Sequence, residues 1–182
     1  MRIVLFLLET VFFFLVAAAL LRAWMNQLRV HMSAQPGRFV IALTNWLVAP
    51  LRRVLPQALS RSRVDWGSLL AAVLLSLAFG VVWALLATSV SGPMPSEHVL
   101  TMVLGMSVRM LLRSLLQGLM VLLLAYAILS WVQPQSPVMG TLGRLCDPFL
   151  RPLRRVVPLV GGVDLSVLIL IVLLQVGLML LA

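Results

Sequence analysis

The sequence predicts an all-α membrane protein with four transmembrane helices, arranged as two tandem parallel helix-loop-helix repeats. The chain of 182 residues is 62% hydrophobic and only 10% charged, and its mean hydropathy is +1.11. Globular proteins average about 45–50% apolar and about 25% charged residues. Long apolar runs alternate with segments in which arginines collect. A soluble domain of this length could not bury so much apolar surface.

Four apolar runs are long enough to cross a bilayer, whose core of about 30 Å needs about 20 helical residues. The predicted spans are residues 3–21, 66–88, 110–131 and 165–181. The apolar stretch 99–108 either extends the third helix outward or lies flat at the membrane interface. We interpret the first run as a retained helix rather than a signal peptide, because Glu9 interrupts its apolar core.

The arginines indicate the orientation of these helices. All fourteen basic residues are arginine, and the net charge is +9. Segment 22–64 carries seven arginines and segment 132–164 carries four, whereas segment 89–108 carries none. Because cytoplasmic loops of membrane proteins are enriched in basic residues, both segments are predicted to be cytoplasmic, with both chain termini outside. Charge placed in this way favours anionic lipid as the partner and argues against nucleic acid.

The two basic segments share a sequence block. Residues 50–56 read PLRRVLP and residues 152–158 read PLRRVVP. An aspartate, Asp65 or Asp164, follows each block and opens the next predicted helix. The recurrence predicts a parallel repeat related by an axis along the membrane normal. The first unit is residues 1–90, with helices 3–21 and 66–88 around basic loop 22–64, and the second is residues 91–182, with helices 110–131 and 165–181 around basic loop 132–164.

A longer string of residues marks the second unit. It comprises Ser130-Trp131, Pro134, Pro137, Asp147-Pro148-Phe149-Leu150-Arg151-Pro152-Leu153-Arg154-Arg155, Pro158, Gly161-Gly162 and Asp164-Leu165-Ser166. This string resembles the YggT (YlmG-related) family of small bacterial and chloroplast membrane proteins. The first unit departs from it, with Asn45-Trp46 where the second has Asp147-Pro148. The resemblance implies a multi-pass protein of the bacterial inner membrane without enzyme activity. It also implies a role in osmotic-stress tolerance or, as in plastids, in membrane organisation or cytochrome assembly.

Each basic segment is predicted to contain an amphipathic interfacial helix. Val138, Leu142, Leu145 and Phe149 recur at helical spacing, as do Phe39, Leu43, Trp46 and Leu47, so both helices are expected to lie apolar face down in the membrane interface. Prolines are expected to end each helix before its arginine pair. The residues predicted to contact anionic lipid are Arg52, Arg53, Arg151, Arg154 and Arg155. The alternatives are a topology signal alone or a protein or ligand site.

Three further groups have predicted roles. Asp65 and Asp164 are expected to cap the helices they precede, with pairing to the nearby arginines as the alternative. Glu9 and Arg113 are expected to form an ion pair in the outer leaflet, unless Arg113 extends to the interface and Glu9 stays protonated. Small residues at fourth positions are expected to form helix-packing seams: Ser68, Ala72, Ser76, Gly80 and Ala84 on the second helix, and Ser114 and Gly118 on the third.

Two classes of function fit these features. The first is a non-enzymatic protein of membrane organisation or osmotic-stress tolerance, acting through its basic cytoplasmic surface. The alternative is a small oligomeric channel or transporter for ions or osmolytes. The single cysteine, Cys146, has no histidine at a metal-ligand spacing, and the sequence shows no catalytic motif. We therefore expect no cofactor or metal. The expected partners are anionic lipids and a homo-oligomer or another membrane protein.

Overall fold

The computed structural model describes residues 2–30, 37–54, 64–92, 95–155 and 164–181. In these ranges the chain forms six helices and no strand, which confirms the all-α prediction. The helices are α1 (Arg2–Gln27), α2 (Gly37–Val54), α3 (Trp66–Ser91), α4 (Ser96–Val132), α5 (Pro137–Arg154) and α6 (Leu165–Leu180). Of the residues that entered the sequence predictions, Arg61, Arg63, Gly161, Gly162 and the ends of the two repeated blocks, residues 55–56 and 156–158, lie outside the described ranges.

Three of the described helices are long and apolar enough to cross a membrane, namely Ile3–Gln27, Trp66–Val90 and Ser96–Val132. The stretch 99–108 lies within α4, so it extends the third helix. At 37 residues, α4 is about 55 Å long. Helix α6 is apolar but has 16 residues, or about 24 Å. A fourth transmembrane helix therefore stays a prediction.

Every pair of helices within α1–α3, here called the first group, and every pair within α4–α6, the second group, is in contact. Each group buries a core of its own, the first around Val16, Val48 and Ala72, the second around Leu123, Leu150 and Leu174. The groups are joined by the contacts of α4 with α3 and α1. A third buried cluster, formed by Met25, Val30 and Leu145, bridges them near one end of α1.

Helices α3 and α4 approach each other closely at Gly80. A Cβ atom there would lie 2.5 Å from the Val103 carbonyl oxygen and would also overlap the Ser107 hydroxyl. Ser68, Ala72, Ser76 and Ala84 are buried on the same helix. On α4, Ser114 is buried, and a Cβ at Gly118 would lie 3.6 Å from that of Ala17 on α1. The structure thus places the small residues where helices meet.

The apolar face of α5 differs from the sequence prediction in what it contacts. On α5, Leu142, Leu145, Cys146 and Leu150 are buried, and they pack on α1, α4 and α6 rather than facing lipid. On α2 the buried residues are Val40, Thr44 and Val48. Phe39 and Trp46, which the periodicity assigned to the membrane side, are 60% and 61% exposed, so membrane contact of this face of α2 stays a prediction. Periodicity identifies an apolar face but not whether protein or lipid covers it.

The prediction that prolines end these helices before the arginine pairs was wrong. Pro50 lies inside α2, and Pro148 and Pro152 lie inside α5. Proline removes a backbone hydrogen bond and leaves the carbonyl four residues earlier without its helical partner. All three prolines are on exposed positions of their helices, where such a carbonyl can be hydrated. The arginine pairs consequently lie in or next to the last helical turn.

Candidate functional site

An ion pair with Asp65 joins the first arginine block to the start of α3. Arg52 Nη2 lies 2.5 Å from Asp65 Oδ2. The other carboxylate oxygen, Oδ1, accepts the Ser68 backbone N–H at 3.2 Å, and the Ser68 hydroxyl donates to Oδ2 at 2.8 Å. Asp65 therefore caps α3 and holds the end of α2 at the same time. We call Arg52, Asp65 and Ser68 the first latch.

The second block repeats this arrangement at the start of α6. Arg154 Nη2 lies 2.5 Å from Asp164 Oδ2, and Arg154 Nε donates to the same oxygen at 2.7 Å. Asp164 Oδ1 accepts the Ser166 N–H at 3.1 Å. Arg154 also donates to the Tyr126 hydroxyl at 3.2 Å, which adds α4 to the contact. We call Arg154, Asp164 and Tyr126 the second latch.

A glycine makes room for the first latch. A Cβ at Gly67 would lie 2.7 Å from Arg52 Cγ and 3.4 Å from Asp65 Oδ1. The aliphatic stem of Arg52 therefore crosses the first turn of α3 at a distance that only a residue without a side chain allows.

The second arginine of each pair has a different environment. Arg53 and Arg155 are exposed, and neither has an ion pair within the described part of the chain. Arg151 lies 2.8 Å from Asp147 one turn away, and its side chain is 70% exposed, so this contact adds little to stability. In each PLRR block the first arginine thus forms an ion pair with an aspartate of the protein, while the second has no ion pair among the described residues.

The latches shift the ionisation of their members. Burial by itself would raise the pKa of Asp65, but hydrogen bonds from Ser68 and Arg52 outweigh it and hold the pKa below 3.8. Burial would lower the pKa of Arg154, yet the Tyr126 hydroxyl and Asp164 raise it. Desolvation raises the pKa of Cys146 to about 12, so this thiol stays protonated and behaves as a small apolar residue.

Glu9 and Arg113 are brought together. Arg113 Nη1 donates to Glu9 Oε1, and the side chains are 48% and 41% exposed for Arg113 and Glu9. Glu9 is on α1 and Arg113 on α4, so the pair joins the first helices of the two groups. Both lie within helices that are apolar enough to span a membrane.

Sequence reasoning missed three side chains that hold this region together. Arg22 is 5% exposed and donates through Nη1 to the Thr44 hydroxyl at 2.9 Å. Trp24 donates its indole N–H to the Leu145 carbonyl at 3.2 Å. Tyr126 binds Arg154. A usable signal existed only for Tyr126, which is the single tyrosine of the chain and so stands out in an apolar run.

Groupings of three or more His, Cys, Asp or Glu side chains suited to a metal ion do not occur among the residues described. The polar chemistry of the two PLRR blocks is therefore that of four exposed guanidinium groups, of which those of Arg52 and Arg154 are paired with aspartate. Such an arrangement can join helices and attract oxyanions.

Comparison with known proteins identifies the family. The family profile described as CCB3/YggT matches residues 1–86 and 106–182. The chain is 36% identical over 174 residues to "Uncharacterized protein YggT" of Escherichia coli strain K12, covering 94% of this chain and 85% of that protein. It is 32% identical over 171 residues to "Uncharacterized protein in proC 3'region" of Vibrio alginolyticus, covering 93% and 88%. No solved structure matches it. The resemblance inferred from the second unit is thus confirmed, and the chain belongs to the CCB3/YggT family.

Proposed function

We propose that the protein is a non-enzymatic, four-helix protein of the bacterial inner membrane whose cytoplasmic arginines contact anionic lipid. Through this contact it contributes to membrane organisation and osmotic-stress tolerance. The observation that carries the proposal is that the two arginines of each PLRR block differ in their ion pairing. All four arginines are exposed, but Arg52 and Arg154 form ion pairs with aspartates, whereas Arg53 and Arg155 have no ion pair within the described part of the chain.

The side chains near Arg53 support contact with a membrane surface. Phe39, Trp46 and Arg53 are spaced by seven residues, which places them on one face of α2. All three are exposed. Aromatic residues beside arginine are typical of the interface between lipid and water.

A duplicated helix-loop-helix unit is part of the proposal, and the internal positions support it. The buried residues Val40, Thr44 and Val48 of α2 precede Pro50 by ten, six and two residues. Leu142, Cys146 and Leu150 of α5 precede Pro152 by the same intervals. With this duplication, both blocks lie on one side of the membrane. The arginine distribution favours the cytoplasmic side, with the termini outside.

The channel or transporter alternative has weaker support. A widely open depression of about 350 Å³ on the surface of α1 is lined by Val4, Leu7, Leu8, Val11 and Phe12. These side chains offer no ligand to a hydrated ion, whereas selective pores carry carbonyl or charged groups. Glu9 and Arg113, which could line a polar path, bind each other.

Tryptophan quenching by brominated lipids tests the proposed lipid contact. The full chain is reconstituted in phosphatidylcholine vesicles containing a small fraction of brominated phosphatidylglycerol. The double variant Arg53→Gln/Arg155→Gln is compared with Arg53→Lys/Arg155→Lys, which keeps the charge. Because each arginine near an anionic surface contributes about 1 kcal/mol, we expect the glutamine variant to lose about fivefold in preference for phosphatidylglycerol per arginine.

The lysine variant is expected to retain most of this preference, and added salt is expected to weaken it in the wild type. Equal quenching by phosphatidylglycerol in the wild type and the glutamine variant would exclude these arginines as the lipid contact.

The cellular role is tested by growth at high osmolarity of a strain that lacks the protein. The wild type and the lysine variant are expected to restore this growth, and the glutamine variant is not.

A further inference from the structure

Helix α4 is longer than the crossing of a bilayer requires. Near one end, the Tyr126 hydroxyl accepts from Arg154 of the second latch, and charged groups of this kind lie at the boundary of the apolar core. From Tyr126 to Ser96 the helix is about 45 Å long, whereas the core is about 30 Å thick. Even with a tilt of about 20°, the average for membrane helices, roughly eight to ten residues lie beyond the core. We call residues 96–105 the distal arm.

The distal arm carries apolar side chains that no described part of the chain covers. Leu100 is 62% exposed and Leu104 is 50% exposed, and Val108 at the base of the arm is 55% exposed. The opposite face of the helix meets α3 at Gly80, and Ser107 on that face is buried. Beyond the core no acyl chains cover Leu100 and Leu104, so contact with another apolar surface is favourable for them.

The spacing of these residues fits a second, parallel helix. Intervals of three and four residues alternate along one line of α4, which comprises Thr101, Leu104, Val108, Leu111 and Leu115. Four of the five are exposed, and Leu111 is partly covered by the first core. In heptad terms, β-branched residues occupy two a positions and leucine occupies both d positions, a combination that favours a two-stranded parallel coiled coil.

A second copy of this chain meets the requirement directly. Two copies inserted in the same direction are related by a two-fold axis along the membrane normal, so their α4 helices are parallel and the same residue lies at the same depth in each. The heptad pattern of one copy is then in register with that of the other. A different protein would have to supply a matching row of side chains at the same depth outside the core.

The charged end of the distal arm is complementary to itself. Glu97 and His98 are both exposed, and within the described part of the chain neither forms an ion pair. Glu97 continues the d positions and His98 is the next, e position. In a parallel pair each d residue packs into a hole that the facing helix forms around the same level. Each imidazole can therefore donate to the Glu97 carboxylate of the other copy, which offsets the proximity of the two carboxylates.

We propose that the protein forms a homodimer in which the distal arm of α4 and the turns down to Leu115 pair in parallel with the same segment of a second copy. The inference depends on the length of α4 and not on which side of the membrane is cytoplasmic. It is also independent of the lipid contact of Arg53 and Arg155, because Arg155 follows the second latch, which lies at the other end of α4. Loss of either property leaves the other intact.

Cysteine crosslinking of the full chain in its membrane tests the contact. The background variant is Cys146→Ala, which removes the buried native thiol. Leu104→Cys places a thiol at a d position, and Met106→Cys places one at nearly the same depth on the far side of the heptad. Disulfides need Cα atoms within about 7 Å of each other, which two facing d positions satisfy. With copper phenanthroline as oxidant, we expect a covalent dimer from Leu104→Cys and at least tenfold less from Met106→Cys.

A second measurement follows association without a crosslink. Single-molecule photobleaching in phosphatidylcholine vesicles gives the fraction of dimers as the protein density is varied. Leu100→Gln/Leu104→Gln should raise the density needed for half-dimerisation at least tenfold, whereas Met106→Gln should change it less than twofold. Both leucines are exposed in the single chain, so the glutamine variant is expected to keep its fold, which circular dichroism checks. The crosslinking result decides independently of that variant.

Three results would overturn the proposal. The first is a wild type that stays monomeric at every density, and the second is equal crosslinking from Leu104→Cys and Met106→Cys. The third is a Leu104→Cys product whose mass is not twice that of the chain, since a different protein would then occupy this face.

Discussion

The indole of Trp24 donates to the backbone carbonyl of Leu145 at 3.2 Å, across 121 positions of the sequence. Its ring also lies 5.3 Å from that of Phe149, centroid to centroid. With Met25, Val30 and Leu145 buried beside it, this contact places the end of α1 against α5. The two helical groups are thus joined near the arginine blocks as well as along α3 and α4.

Replacing Trp24 should weaken this junction in two steps. Trp24→Phe removes the hydrogen bond but keeps an aromatic ring against Phe149, so we expect a loss of about 1 kcal/mol in the free energy of unfolding. Trp24→Ala should cost about 3–5 kcal/mol. Trp131→Phe is the matched control, because Trp131 is 76% exposed. Denaturant unfolding in detergent measures all three, and equal losses for the two phenylalanine variants would contradict the junction.

Substitution by alanine should lower stability at Gly80 and raise it at Gly105. At Gly80 a Cβ would meet the Val103 carbonyl oxygen at 2.5 Å, so Gly80→Ala must separate α3 from α4 and should cost about 1–3 kcal/mol. At Gly105, on α4, a Cβ has no neighbour within 4 Å, and alanine should add up to about 1 kcal/mol through helix propensity. Thermal unfolding measures both. A stabilising Gly80→Ala would show that the helices are not in close contact there.

The first latch should make stability depend on pH. The pKa of Asp65 is lower in the folded protein than its ordinary value of 3.8, so the unfolded chain binds a proton more readily. The stabilisation is therefore complete above about pH 5 and decreases as the pH falls through 3.8 towards the folded pKa. We expect Asp65→Asn to lower the unfolding temperature at pH 7 and to flatten its decline between pH 5 and 3. Asp147→Asn, which removes an exposed pair, should leave the profile nearly unchanged.

Glu9 and Arg113 should behave as a coupled pair. In lipid, removing one partner leaves a charge without its counter-ion, which costs more than removing both. We expect Glu9→Gln or Arg113→Gln alone to lower the unfolding temperature more than the double variant. Strictly additive losses in this double-mutant cycle would mean that the two side chains do not interact.

Features that depend on neighbouring residues could be predicted from the sequence more often than features that depend on contacts between distant segments. Asp65 and Asp164 could be identified as helix caps because each precedes an apolar helix. A cap interacts only with the first turn of the helix that follows it. Glu9 and Arg113 could be paired from sequence because rise per residue and helix direction place them at one depth. Arg22 and Trp24 could not be interpreted, since their roles depend on α2 and α5 folding back against α1. The ends of α2 and α5 were predicted wrongly from the prolines, because the exposed positions of these prolines allow the helix to continue.

The division within the PLRR blocks is tested most directly by comparing four single variants, Arg52→Gln, Arg154→Gln, Arg53→Gln and Arg155→Gln. Each is measured for unfolding temperature in detergent and for preference for phosphatidylglycerol in vesicles. Because Arg52 and Arg154 bind aspartates at 2.5 Å, we expect their loss to lower the unfolding temperature. Loss of Arg53 or Arg155 should leave that temperature unchanged and reduce the lipid preference. The same pair of effects in all four variants would show that the two arginines of a block do not have separate roles.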